Sequence, residues 1–120
     1  KKNGDKWEIF THGGRNATGI NAIEWARKMD EFNAGEILLT SIDNEGTKKG
    51  FDYELNKSVS ESVSIPVISS GGASSSGDIL KLFNSTEVEA VALASILHFN
   101  LNSINSIKRS LLANKVNIRI

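Results

Sequence analysis

Residues Glu36–Ile42 read EILLTSI, an apolar segment that turns polar at its carboxyl end. Its apolar core is continuous instead of alternating, which is typical of a parallel strand covered on both faces. A polar loop, Asp43–Gly50, follows this strand, and apolar residues at helical spacing then predict a helix over Asp52–Ser62. The segment therefore predicts one strand–loop–helix unit of a parallel α/β fold.

The same alternation of short apolar runs and helical stripes occurs along the rest of the chain. It predicts further strands over Trp7–Thr11, Pro66–Ser70 and Glu89–Ala94, and a glycine-rich turn over His12–Gly19. The residues at helical spacing that follow these strands, and that we expect to face inward, are Ala22, Trp25, Ala26 and Met29, then Ile79, Leu80 and Phe83, and finally Ile104, Ile107, Leu111 and Leu112. The order is β-α four times.

Four consecutive βα units predict a parallel sheet with right-handed crossovers. A closed (βα)8 barrel needs about 250 residues, whereas this chain has 120. We therefore predict that residues 1–120 form a single α/β half-barrel, (βα)4, with two unpaired edge strands. The first residue is Lys1 and not Met, and the polar run that follows predicts neither a helix nor a strand. We therefore expect a fragment of a longer protein.

Composition excludes several classes of function. Fourteen basic residues balance fourteen acidic ones, which disfavours nucleic acid and anionic membranes as partners. The chain has no cysteine, which removes disulfides, thiolate metal sites and a cysteine nucleophile. No apolar run approaches the roughly 20 residues that cross a bilayer. We expect a cytoplasmic protein without a metal or other cofactor.

Small and polar residues follow each predicted strand, where ligands meet parallel α/β folds. Glycines let backbone amides approach an anion closely, so phosphate is the expected ligand. The strand ends read Thr11-His12-Gly13-Gly14, Thr40-Ser41-Ile42-Asp43, Ser69-Ser70-Gly71-Gly72 and Ala94-Ser95. The last two loops are where barrels commonly build a phosphate site, although a glycine pair alone is often a simple turn.

Asp43 and Glu45, on the loop after EILLTSI, are the candidates for acid–base chemistry. Both could equally be solvated loop carboxylates, and His12 could equally stabilise its turn. Glu36 begins a buried strand at the opposite, amino-terminal end of the sheet, where a carboxylate is costly unless it is paired. A salt bridge at that end is the simplest interpretation of Glu36.

Four strings carry a family resemblance: FTHGGRNATGINAIEWA, AGEILLTSIDNEGTKKGFD, IPVISSGGAS and ALASILHF. Together they resemble the carboxyl-terminal half of the cyclase subunits of imidazole glycerol phosphate synthase, and the resemblance covers essentially all 120 residues. It implies a (βα)8 barrel of two similar halves, of which this chain holds strands five to eight. It also implies a glutaminase subunit as the partner in a heterodimer.

The implied reaction is a cyclisation in histidine biosynthesis. Ammonia from the glutaminase reacts with a phosphoribulosyl-formimino aminoimidazole carboxamide ribotide, and the products are imidazole glycerol phosphate and aminoimidazole carboxamide ribotide. The implied ligands of one substrate phosphate are Gly72, Ala94 and Ser95, with Gly46 nearby. Thr40 and Ser70 would line the reacting centre, and Glu36 would belong to a charged gate for ammonia.

Two differences from the family pattern affect the expected activity. The essential aspartates of the family lie upstream of Lys1, so we expect the chain alone to be inactive without the missing amino-terminal half. The family pattern Asp-x-Asp-Gly reads Asp43-Asn44-Glu45-Gly46 here. Two alternatives remain: a non-catalytic phosphate-binding half-barrel that pairs with itself, and the sister phosphoribosyl isomerase of the same pathway.

Overall fold

The computed structural model describes residues 1–119, which form two separate three-stranded sheets and five helices. The antiparallel sheet contains β1 (Lys2–Asn3), β2 (Lys6–Thr11) and β3 (Asn16–Asn21). The parallel sheet contains β4 (Ile37–Thr40), β5 (Val67–Ser70) and β6 (Ala90–Ala92). The helices are α1 (Ala22–Glu31), α2 (Tyr53–Ser60), α3 (Ser76–Ser85), α4 (Ser95–His98) and α5 (Ile104–Ala113).

The parallel sheet has the order β4-β5-β6, with α2 and α3 as the connections between neighbouring strands. Ile37 pairs with Val67, and Ser70 pairs with Ala92, so the carboxyl ends of the three strands lie side by side. The side chains of Leu55, Val59 and Leu82 are fully buried in the core. Within residues 1–119, β4 and β6 each leave one edge without a neighbour, so the sheet does not close into a barrel.

The prediction of four parallel βα units is wrong for the first unit. The predicted strand Trp7–Thr11 is part of β2, which pairs antiparallel with β3 and not with β4. The chain reverses directly after Thr11, where His12 and the two glycines after it adopt positive φ angles. A reversal this short brings the next segment back as an antiparallel neighbour, whereas a parallel neighbour needs a long crossover. The structure therefore contains three parallel strands, and the second half of the turn predicted over His12–Gly19 is strand, because β3 begins at Asn16.

Helix positions are predicted better than side-chain burial. Ala26 and Ile107 are buried, as expected. Trp25, Ile104 and Leu112 are 37%, 55% and 40% exposed, although the helical pattern predicts them inward. Each of these helices covers a sheet or helix on one side only, so only the centre of its apolar stripe is buried. The segments β1 and α4 lie where no element was predicted.

The helices of the described region are short. The longest have ten residues, and no helix within residues 1–119 has both the length and the apolar character needed to cross a bilayer.

Candidate phosphate-binding and active site

The carboxyl ends of β5 and β6 form one small pocket. Its lining includes most of the residues expected to hold a phosphate, namely Ser70, Gly71, Gly72, Ala94 and Ser95, together with Glu45. The strand register explains this convergence, because Ser70 pairs with Ala92 and places the two following loops next to each other. The arrangement offers a hydroxyl group and glycine backbone at one end of the sheet.

Both glycines of this pocket occupy positions that leave little room for a side chain. Gly72 has a φ of +97°, and a Cβ added to it would lie 2.1 Å from the carbonyl oxygen of Gly50. Gly71 has a φ of +98°, and its Cβ would lie 2.8 Å from Oε2 of Glu45. The backbone contact with Gly50 therefore requires glycine at position 72, whereas at position 71 the side chain of Glu45 could move and the positive φ favours glycine.

The amino terminus of α3, directly after this pocket, is already occupied by a carboxylate. Oδ2 of Asp78 accepts hydrogen bonds from the Ser74 amide at 2.8 Å and the Ser74 hydroxyl at 2.7 Å. Burial raises the pKa of the Asp78 carboxyl, but the hydrogen bonds from Ser74 and Ser75 outweigh burial and hold this pKa below its ordinary value. An additional anion at the helix end would meet this negative charge, which favours a phosphate position on the side of Gly72 and Ser95.

A larger cavity of about 680 Å³ lies beside this pocket, between the antiparallel sheet and β4. Its lining includes Thr40, Glu45 and His12, and Glu45 is thus shared by both cavities. The volume is within the range of small-molecule sites. His12 reaches the cavity from the turn between β2 and β3, where its Nδ1 lies 3.1 Å from Oγ1 of Thr11.

The two candidate acid–base residues have different surroundings. Glu45 faces the two cavities described above. Oδ2 of Asp43 accepts a hydrogen bond of 2.6 Å from the backbone amide of Lys2, on the side of the antiparallel sheet. Asp43 lines neither of the two cavities, and Gly46 is an exposed loop residue that does not line them either. The geometry separates Asp43 and Gly46 from the other predicted site residues.

Glu36 lies at the opposite end of the parallel sheet. It precedes Ile37, whose amide donates to the carbonyl oxygen of Pro66, directly before β5. Thr40 lies four positions further along the chain than Glu36, or about 13 Å away in a strand. Glu36 is exposed, and among residues 1–119 it has no salt-bridge partner. The salt bridge suggested for Glu36 by the sequence is therefore not found in the described part of the chain.

Sequence reasoning assigned no role to three polar residues behind the site: Ser41, which it named only as a strand-end residue, Asn44 and Asp52. Ser41 is 2% exposed, and its hydroxyl lies 3.2 Å from Oδ1 of Asn44. Asp52 is the N-cap of α2, and an aspartate before a helical pattern is a signal that could have identified it. Within the described part of the chain, no group of three or more His, Asp or Glu side chains could hold a metal ion.

Comparison with known proteins adds two findings. The protein family described as "Histidine biosynthesis protein" matches residues 1–103. The chain is also 47% identical over 120 residues to the imidazole glycerol phosphate synthase subunit HisF of Methanococcus vannielii. The alignment covers 99% of this chain but 44% of that relative, so the chain spans less than half of the relative's length.

Proposed function

The chain belongs to the histidine biosynthesis protein family, and we propose that it is the carboxyl-terminal part of a cyclase subunit of imidazole glycerol phosphate synthase. The observation that carries the proposal is the convergence of Gly72 and Ser95 in one pocket at the carboxyl ends of β5 and β6. The resemblance in sequence implies that these two residues bind the same substrate phosphate. The strand register brings them together without reference to that resemblance.

In the proposed reaction, ammonia is incorporated into the ribulosyl substrate, the imidazole ring closes, and aminoimidazole carboxamide ribotide is released. The hydroxyl of Ser95 and the backbone of Gly72 would bind one phosphate of the substrate. Thr40 and Ser70, paired at the ends of β4 and β5, would line the reacting centre. Glu45 would move protons there, since it reaches both cavities.

Ammonia would enter from the opposite end of the barrel, where a glutaminase subunit docks. Glu36 fits the charged gate at that end, because it is exposed and precedes the first residue of β4. A carboxylate that serves a partner subunit does not need a partner within its own chain. This reading explains the position of Glu36 better than an internal salt bridge does.

The remaining strands of the barrel would pair with the two open edges of the parallel sheet. Leu38, on the edge strand β4, is 62% exposed, which is a large apolar exposure for a strand residue. The essential aspartates would also belong to that other part of the protein. Activity is therefore proposed for the complete protein, meaning this chain joined to its amino-terminal part.

The phosphate proposal is tested by replacing Ser95 with alanine in the complete protein, with ammonia as the nitrogen source. Loss of a hydrogen bond to a charged group is expected to lower kcat/KM about tenfold or more, mainly through KM. Ser85→Ala is the matched control, since its exposed hydroxyl bonds Lys81 at the far end of α3. Equal kcat/KM values for the two variants would remove Ser95 from the phosphate site.

The proton-transfer role is tested by Glu45→Gln, which keeps the shape of the side chain and removes its charge. We expect kcat to fall at least tenfold and Glu45→Asp to recover part of the loss. Asp43→Asn is the comparison, because that carboxylate bonds the Lys2 amide outside both cavities. A larger loss of kcat in Asp43→Asn than in Glu45→Gln would reverse the assignment.

Two alternatives lead to different outcomes. The name of the Methanococcus vannielii relative favours the cyclase over the sister isomerase. A phosphate-binding half-barrel that pairs with itself would use the same open edges at β4 and β6. Sedimentation of the 120-residue chain would show a stable dimer in that case, and the complete protein would show no cyclisation.

A further inference from the structure

We propose that Asp52 is a positioning residue, which couples the antiparallel sheet to the loop that carries Glu45. This inference rests on the proposed function, because Glu45 is the residue whose position would matter for the reaction. Asp52 lines neither of the two site cavities, so its effect would pass through its hydrogen-bond partners.

The carboxylate of Asp52 makes contacts in two directions. Oδ1 accepts a hydrogen bond of 3.0 Å from the amide of Leu55 and so caps α2. Oδ2 accepts a hydrogen bond of 3.2 Å from Nε1 of Trp7, on the central strand of the antiparallel sheet. The cap needs only one of the two oxygens. The second oxygen connects the antiparallel sheet to the amino terminus of α2, which follows β4 of the parallel sheet.

The contacts continue from Asp52 to the phosphate pocket. The Ser41 hydroxyl lies 3.5 Å from Oδ2 of Asp52 and 3.2 Å from Oδ1 of Asn44. Nδ2 of Asn44 donates to the carbonyl oxygen of Gly50 at 2.9 Å. The amide of Gly50 in turn donates to the carbonyl oxygen of Gly72 at 2.8 Å. Glu45 directly follows Asn44, and its amide donates to the carbonyl oxygen of Ser41.

Burial makes these contacts stronger than the other links between the two sheets. Trp7 is 8% exposed and Ser41 is 2% exposed, so water competes weakly for their hydrogen bonds. The other links, from Lys2 to Asp43 and Glu54, join exposed groups. The hydrogen bond between Trp7 and Asp52 is therefore the one part-buried polar link that we find within residues 1–119 between the antiparallel sheet and the segment over residues 41–52.

The test compares Asp52→Asn with Trp7→Phe in the complete protein. Asparagine is as good an N-cap as aspartate, so a residue that only caps α2 would tolerate the first change. An asparagine side chain, however, has one oxygen and one NH2 group. If the oxygen accepts from the Leu55 amide, the NH2 group lies against the N–H of Trp7. If the oxygen accepts from Trp7, the cap at Leu55 is lost. Trp7→Phe removes the indole donor and leaves the cap untouched. Trp25→Phe is the matched control, because Trp25 is 37% exposed and its indole has no hydrogen bond within the described residues.

The first measurement is amide hydrogen exchange over residues 43–50, which needs no enzymatic activity. We expect exchange to become about tenfold faster in Asp52→Asn and Trp7→Phe, as one hydrogen bond to a charged group is lost, and to stay unchanged in Trp25→Phe. Unchanged exchange in both variants would overturn the positioning role, whether or not the protein is a cyclase.

The second measurement is the steady-state rate of ammonia-dependent cyclisation. We expect kcat to fall about tenfold in both variants and KM to change less than kcat, because Glu45 directly follows Asn44, whereas the contacts reach Gly72 only through Gly50. If the unmodified protein does not cyclise the substrate, the proposed function fails and the exchange result still decides the role of Asp52. If it does and both variants match its kcat, the positioning role fails alone.

Discussion

The parallel and antiparallel sheets have the same number of strands but differ in what holds them. The parallel sheet joins segments far apart in sequence, such as Ile37 and Val67, and Val67 is 1% exposed. The antiparallel sheet joins neighbours such as Thr11 and Asn16, and four of the six residues of β3 are exposed. Stability therefore resides in the parallel sheet and its helices, while the antiparallel sheet depends on Trp7 and a few polar contacts for its position.

The largest expected effect comes from the core beside the parallel sheet. Leu82→Ala removes a fully buried side chain of α3 and should lower the free energy of unfolding by about 3 kcal/mol. The corresponding change in the antiparallel sheet, Ile20→Ala, removes a side chain that is 39% exposed and should cost below about 1 kcal/mol. Urea unfolding of both variants measures the contrast. Equal losses would contradict the placement of stability in the parallel sheet.

The next contrast compares one glycine at the end of the parallel sheet, Gly72, with one in a turn of the antiparallel sheet, Gly13. Gly72→Ala places a Cβ against the carbonyl oxygen of Gly50 and should cost about 2 kcal/mol and raise KM for the phosphorylated substrate. Gly13→Ala, in the turn of the antiparallel sheet, also has a positive φ, +65°, but meets nothing within 4 Å. It should cost about 1 kcal/mol and leave KM unchanged. Unfolding curves and steady-state kinetics together separate backbone strain from the steric clash.

The cap of α3 should give a pH-dependent effect. The folded-state pKa of Asp78 lies below its ordinary value of 3.8, so the charged form stabilises the fold above that pH. Asp78→Asn should cost about 1 kcal/mol at pH 7. The difference in the free energy of unfolding between this variant and the unmodified protein should shrink as the pH falls below about 4 and through the folded-state pKa of Asp78. A difference that grows on acidification would show the opposite sign of linkage.

The control for this pH dependence is an aspartate without such hydrogen bonds. Asp5→Asn changes an exposed residue in the turn between β1 and β2. It should leave the stability unchanged at pH 7. Thermal unfolding of both variants between pH 3 and pH 7 would isolate the contribution of Asp78 from that of the other carboxylates.

The smallest effect is expected where the antiparallel sheet meets α2 at the surface. Nζ of Lys2 lies 3.0 Å from Oε2 of Glu54, with both side chains at least half exposed. The hydrogen bond and the charge of Glu54 raise the pKa of Lys2, but solvent screens the pair. A double-mutant cycle with Lys2→Ala and Glu54→Ala should find no measurable coupling at physiological salt. Strong coupling would mean that the antiparallel sheet is held at its rim as well as through Trp7.

Much of the candidate site was predictable from the residues that follow the strands. Ser70, Gly71, Gly72 and Ser95 were expected at one rim because the carboxyl ends of parallel strands share an edge, and the structure places them in one pocket. Asp43 shows where this reasoning stops. It belongs to the same loop as Glu45, yet its carboxylate bonds Lys2 in a sheet whose direction the sequence pattern did not reveal.

The amino-acid sequence by itself determined the alternation of strands and helices from Glu36 onward, because periodicity reports which faces of each element are buried. It also determined the small residues at the strand ends, because they directly follow each apolar run. Only the tertiary structure decided that Trp7–Thr11 pairs antiparallel, that Trp25 remains exposed, and that Asp52 joins Trp7 to the loop of Glu45. Each of these depends on which distant segment lies alongside, and periodicity within one element carries no information about its partner.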